Sequence, residues 1–197
     1  MFIHRQTLAQ FSHLSITLHW IIAGSMMGSM AIQYYAVYFA EEAVKAVLFM
    51  THRSLGLLSF GLSVFFVLLK SVDRRPPVRD VPQSAMGVYK IVKYSLFALP
   101  SLLFISGWLI FDLKDKDFYF FGHLIHAPDI CAKNLFASAE ARLHHKLLSA
   151  YAVVILVGHA GAAFFHHFIV KDKTLWRMLP LRVLLPKTRK GDVFSKD

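Results

Sequence analysis

Four stretches of the chain, 14–39, 46–69, 88–111 and 144–170, are almost continuously apolar, and most charged residues lie between or beyond them. Each is long enough for a helix of the roughly 30 Å that spans hydrocarbon, at about 1.5 Å per residue. The runs lack the alternation of barrel strands, and backbone groups in lipid must bond within their own segment, so each predicts a membrane-spanning helix. The expected fold class is all-α, an integral membrane four-helix bundle over residues 14–170. A segment 1–13 precedes it and a basic tail 171–197 follows.

The polar breaks support those limits. AEEAVK closes the first turn, and DRRPPVRDVP is a charged, proline-rich connection that cannot continue a helix. The longest connection, about 112–142, mixes charge with aromatics in DLKDKDFYFFGHLIHAP. It reads either as an interfacial segment or short helix, or as a solvated loop. Pro100 favours a kink in the third run, which has no histidine and reads as a wall of the bundle. GSMMG at 24–28, with Gly56, Gly61, Gly158 and Gly161, suggests either close helix approach or room beside a bulky cofactor.

Composition agrees with a membrane protein: 56% of the 197 residues are hydrophobic, and mean hydropathy is +0.49. The net charge of +10 could suggest nucleic acid, but its distribution argues otherwise. Fifteen of the 22 Lys and Arg, against five of the 12 Asp and Glu, lie in the N-terminal stretch, the 70–93 connection and the tail. The opposite side carries seven of each sign. By the positive-inside rule both termini and the middle connection are cytoplasmic, and the two outer connections face the opposite compartment. The first run is too long for a signal peptide and reads as a retained helix. A single cysteine, Cys131, excludes an internal disulfide and argues against a cysteine-ligated cluster.

Histidines inside spans are the candidate chemistry, because ionisable groups in lipid are costly. Of eleven, His19, His52, His144, His145, His159, His166 and His167 lie in or near the spans, whereas His4, His13, His123 and His126 fall outside them. His145 and His159 are separated by 14 positions, which leaves them about 40° apart on one helix face and about 21 Å apart along it. His144 is about 60° from His159 on the other side, so geometry does not exclude it. Antiparallel helices place His19 near the depth of His159, and His52 near that of His145.

Two imidazoles at each of two depths, drawn from different helices, fit two bis-histidine haems. Each histidine taken singly is also explained by packing or a hydrogen bond between helices. Zinc would require more donors, and a proton-coupled transporter would usually place an acid within its spans. Trp20 reads as an interfacial anchor or packing residue.

Over about residues 11–180 the chain resembles the bacterial di-haem cytochrome b-561 family. The carriers are FSHLSITLHW, FMTHRSLGLL, HHKLLSAYAVVILVGHAGAAFFHHF and KDKTLWRMLP. The resemblance implies a superoxide:ubiquinone oxidoreductase with two haem b groups. His19 and His159 would hold the inner haem iron, and His52 and His145 the outer. His144 stands where relatives often have Trp, which keeps it as a rival ligand.

The implied reaction takes electrons from superoxide at the outer face and reduces ubiquinone. Lys45, Arg53, Arg142 and Lys146 lie near the outer helix ends and are candidates for steering the anion, with snorkelling to the interface as the alternative role. His166 is about 20° from His159 and roughly 10.5 Å deeper, a candidate for contacting quinone, with Lys90, Lys93 or Lys171 nearby. A haem-propionate contact or an interfacial role is its alternative. His167 points about 100° away, toward the interface. Expected partners are membrane lipid, quinone and superoxide, without nucleic acid. A second reading makes the chain a cytochrome b subunit of a dehydrogenase or hydrogenase, fed by a redox partner protein; a third is a membrane bundle without haem.

Overall fold

The computed structural model describes residues 12–72, 83–114, 118–125, 130–171, 175, 178 and 179. Most of the expected segment 1–13, most of the tail, His4 and His126 lie outside the described residues. Four helices are long and apolar enough to cross a membrane. The chain is an integral membrane four-helix bundle.

Helix α1 (His13–Tyr38) begins where Ser12, in an extended conformation, accepts a hydrogen bond from the Ser15 amide at 3.2 Å. His13 is therefore the first helical residue. At the other end Tyr34, Tyr35, Tyr38 and Phe39 are exposed, as expected of an aromatic interfacial belt. Helix α2 (Glu42–Val72) has an acid in its first turn and Lys70 in its last, both matching the helix dipole. A short 3₁₀ turn (Gln83–Ala85) leads into α3 (Met86–Asp112), where Pro100 is buried in the helix interior.

Helix α4 (Leu135–Phe165) starts nine positions earlier than the apolar run at 144 predicts. Its cap is Asn134, whose side chain accepts from the Ala137 amide at 3.0 Å. LFASAEAR is rich in helix formers but too polar to extend a hydropathy run, so the early turns escape a reading based on apolar length. Past Phe165 the chain widens into a π-helical turn (His166–Val170), closed by Lys171 in a left-handed conformation.

Part of the long connection, expected as an interfacial segment or short helix or else as a solvated loop, forms an antiparallel hairpin rather than a helix. Strands β1 (Phe118–Phe120) and β2 (His123–Ile125) pair with Tyr119 opposite Leu124. Phe121 and Gly122 turn the chain with positive φ angles of 44° and 88°, the signature of a tight two-residue hairpin turn. A phenylalanine at such an angle is strained. Its amide is held at 2.8 Å by the hydroxyl of buried Ser54 on α2. Asp112, also buried, accepts from the Ile130 and Cys131 amides at 3.2 and 2.9 Å and closes the connection.

Helix α1 packs along α2, α3 along α4, and α2 joins the two halves through α3. A core of Met26, Leu99, Ala152 and Ile155 draws α1, α3 and α4 together, with Leu99 only 1% exposed. Glycines contribute less to close approach than the sequence suggests. A Cβ built on Gly24, Gly56, Gly61, Gly158 or Gly161 meets nothing within 4 Å. Buried Ser25 and Ser63 instead bond carbonyls of their own helices, and Ser54 does so while also accepting from the Phe121 amide of the hairpin.

Candidate functional site: two facing imidazole pairs

The end of the bundle that carries β1 and β2 is here called the hairpin end, and the opposite one the termini end. Six residues into α1, His19 faces His159 of α4 near the termini end, with ring centroids 6.2 Å apart and planes at 66°. Toward the hairpin end, His52 of α2 faces His145 of α4 at the same 6.2 Å, with planes at 88°. Helix α4 thus contributes one ring to each pair.

The spacing has a chemical meaning. Two imidazoles bound on opposite sides of one metal, with metal–nitrogen bonds of about 2 Å, place their centroids roughly 6 Å apart. Among the described residues no group of three or more His, Cys, Asp or Glu side chains gathers as a metal centre. Each pair therefore offers two donors, and a metal between them would take its remaining ligands from elsewhere. Haem meets that requirement, since its macrocycle supplies the equatorial ligands and histidines can supply the axial ones. The open space at Gly24, Gly56 and Gly158 is compatible with a bulky group beside the pairs.

The hairpin-end pair is held on its outer edges. Nδ1 of His52 lies 2.9 Å from both the hydroxyl and the carbonyl oxygen of Ser29. Nδ1 of His145 lies 3.0 Å from the Ser106 hydroxyl, and its ring rests against the backbone of Gly107. Helix α3, which has no histidine, therefore positions one. Sequence reasoning missed Ser29 and Ser106, because a serine in a span usually bonds its own helix and nothing local marks these two. At the termini-end pair, Trp20 lies beside His19 at 5.5 Å, and its indole N–H donates to the Met178 carbonyl. Trp20 thus ties α1 to the segment after α4.

The rival histidine does not join a pair. His144 is exposed, whereas His145 turns inward toward His52. His166 is exposed where the π turn begins, its ring 6.1 Å from Phe165. His167, expected at the interface, is the less exposed of the two and lies edge-on to Phe168 at 4.7 Å. At the same end the Lys93 ammonium lies 5.9 Å from the Tyr89 ring and 5.8 Å from that of Tyr94.

The four candidate cations occupy different settings. Lys45 pairs with Glu42 at 2.6 Å, which offsets its charge. Half-buried Arg53, next to His52, holds its guanidinium 4.5 Å from the Phe111 centroid and donates to the Phe49 carbonyl at 3.1 Å. Arg142 and Lys146 are exposed on α4, flanking His144 and His145.

Residues 10–181 match the family described as prokaryotic cytochrome b561. The chain is 27% identical over 179 residues to cytochrome b561 homolog 1 of Escherichia coli (strain K12), covering 88% of this chain and 98% of that protein. It is 31% identical over 180 residues to cytochrome b561 homolog 2 of the same organism, covering 88% and 93%. A protein of Yersinia pestis named probable superoxide oxidase CybB is 26% identical over 178 residues, covering 87% and 96%.

Proposed function

The chain belongs to the prokaryotic cytochrome b561 family of haem b-binding membrane electron carriers, and on that premise we propose that it oxidises superoxide at the hairpin end and reduces ubiquinone at the termini end. Two haem b groups would serve this reaction, one held by His52 and His145 and one by His19 and His159. The observation that carries the reading is the pair of facing imidazoles repeated at two levels of one bundle, each spaced for a single metal. Two superoxide anions and two protons convert one ubiquinone to ubiquinol and release two molecules of dioxygen.

When bound, haem supplies one-electron chemistry through its iron. The chain's own residues hold and orient that group and guide the reactants. Arg53, beside His52, is the cation best placed to draw an anion toward the hairpin-end pair. Arg142 and Lys146 extend positive charge along α4, while Glu42 weakens the contribution of Lys45. At the other end His166, about 20° around α4 from His159, offers a ring nitrogen to a quinone carbonyl. The concentration of Lys and Arg in the termini and the 70–93 connection supports a cytoplasmic termini end and an outward hairpin end in a bacterial inner membrane.

The purified chain, without any other subunit, tests the proposal. Its reduced-minus-oxidised spectrum should show b-type haem at two per chain, with rapid reduction on superoxide generation and reoxidation by ubiquinone. Reduction only by an added partner dehydrogenase would instead make it an electron-transfer subunit.

A further inference from the structure

We propose that hydrogen bonds from the hairpin-end imidazoles, set by Ser29 and Ser106, make that pair the stronger electron donor to its metal, so that the hairpin-end site has the lower reduction potential. The inference rests on the haem-ligand assignment above and adds an energetic direction to it.

The argument begins with which atoms can donate. A carbonyl oxygen only accepts, so the 2.9 Å contact between the Ser29 carbonyl and Nδ1 of His52 requires a proton on Nδ1. The Ser29 hydroxyl is accounted for separately, since it donates to the His52 carbonyl at 3.0 Å. For His145 the logic passes through one more bond. The Ser106 hydroxyl donates its proton to the Leu103 carbonyl at 3.1 Å, so toward Nδ1 of His145 it acts as acceptor at 3.0 Å. Both neutral rings therefore carry their proton on Nδ1 and leave the Nε2 lone pair free for a metal.

The other pair differs. Among the described residues neither His19 nor His159 has a side-chain hydrogen-bond partner; the His19 ring lies against Trp20 and His159. An imidazole that donates its distal N–H gains electron density and becomes a more basic ligand. A more basic axial ligand favours the oxidised metal, which lowers the potential. Two such bonds at one site, and none among the described residues at the other, place the downhill direction from His52 and His145 toward His19 and His159. An electron entering at the hairpin end would then move toward the quinone end without a climb.

Redox titration of the haem-loaded protein, followed optically, tests this. Wild type should show two waves, and His159→Ala should retain the lower one. Ser106→Ala should move the lower wave to more positive potential and leave the upper wave in place, because the acceptor hydroxyl is gone. Ser106→Thr keeps a hydroxyl and should restore the wild-type value. Ser29→Ala is an internal contrast, since the carbonyl acceptor remains and the shift should be smaller. Retention of the upper wave in His159→Ala overturns the potential order, as does a Ser106→Ala effect on the upper wave alone. An unmoved lower wave, or equal shifts in the Ala and Thr variants, overturns the role of Ser106. A protein that binds no haem would instead defeat the ligand assignment, a separate failure.

Discussion

A methyl group on Gly107 would stand 3.1 Å from Cε1 and 3.4 Å from Nδ1 of His145. The α3 backbone is therefore a seat for that imidazole, and no larger residue fits without moving the ring or the helix. Gly107→Ala should lower haem content by up to half, through the hairpin-end site, measured as haem per chain after purification. Gly28→Ala is the matched control. Its added methyl would meet Leu55 at an ordinary 3.6 Å, and haem content should stay at the wild-type value.

The adjacent histidines of α4 should separate cleanly. His145→Ala and His52→Ala each remove one donor of the same facing pair and should each lose about one of two haems, since a single imidazole cannot supply both axial bonds. His144→Ala should keep both, because its ring is exposed and outside the pair. Equal haem loss in His144→Ala and His145→Ala would show that the two share the ligand role.

Much of this was legible in the sequence, for a physical reason. Lipid leaves only internally bonded elements, so apolar length alone gives four helices, and the cost of imidazole in that setting draws attention to His19, His52, His145 and His159. Helical periodicity put His145 and His159 on one face but did not separate His145 from His144; the structure turns His145 inward through its contacts with α3. The early start of α4 was hidden because Leu135 to Arg142 is helical without being uniformly apolar. The hairpin was hidden because its turn places a phenylalanine at positive φ, stabilised by distant Ser54. Ser29 and Ser106 act across helices, and no local pattern encodes a contact between positions 106 and 145.

Arg53 offers a test of electrostatic guidance that leaves the imidazoles in place. Removing one charge at roughly 8 Å in water is worth ~0.5 kcal/mol, so Arg53→Gln should slow superoxide-driven haem reduction by about two- to threefold at low salt. The difference should shrink as ionic strength rises and the Debye length falls to about 3 Å near 1 M. Stopped-flow rates across a salt series check both the size and the trend. A salt-independent loss would point to altered packing against Phe111.

Outside the spans, Cys131 gives a pH-dependent observable. Partial burial, then the hydrogen bond and charge of Asp112, push its thiol pKa above the ordinary value. At a given pH below that value less thiolate is present, so alkylation by maleimide should be slower than for a free cysteine and should accelerate only as pH rises. Asp112→Asn removes the charge and should speed the reaction near neutral pH. Asp112→Ala should also destabilise the connection by about 1–3 kcal/mol by leaving the Ile130 and Cys131 amides without their acceptor.

Both facing pairs take one ring from α4, the last of the four helices in chain order. During synthesis α1, α2 and α3 are complete while His19 and His52 still have nothing opposite them. Neither pair can form sequentially with the early helices. Insertion of α4 completes both facing pairs together, so the last span to be made is the one on which both arrangements depend.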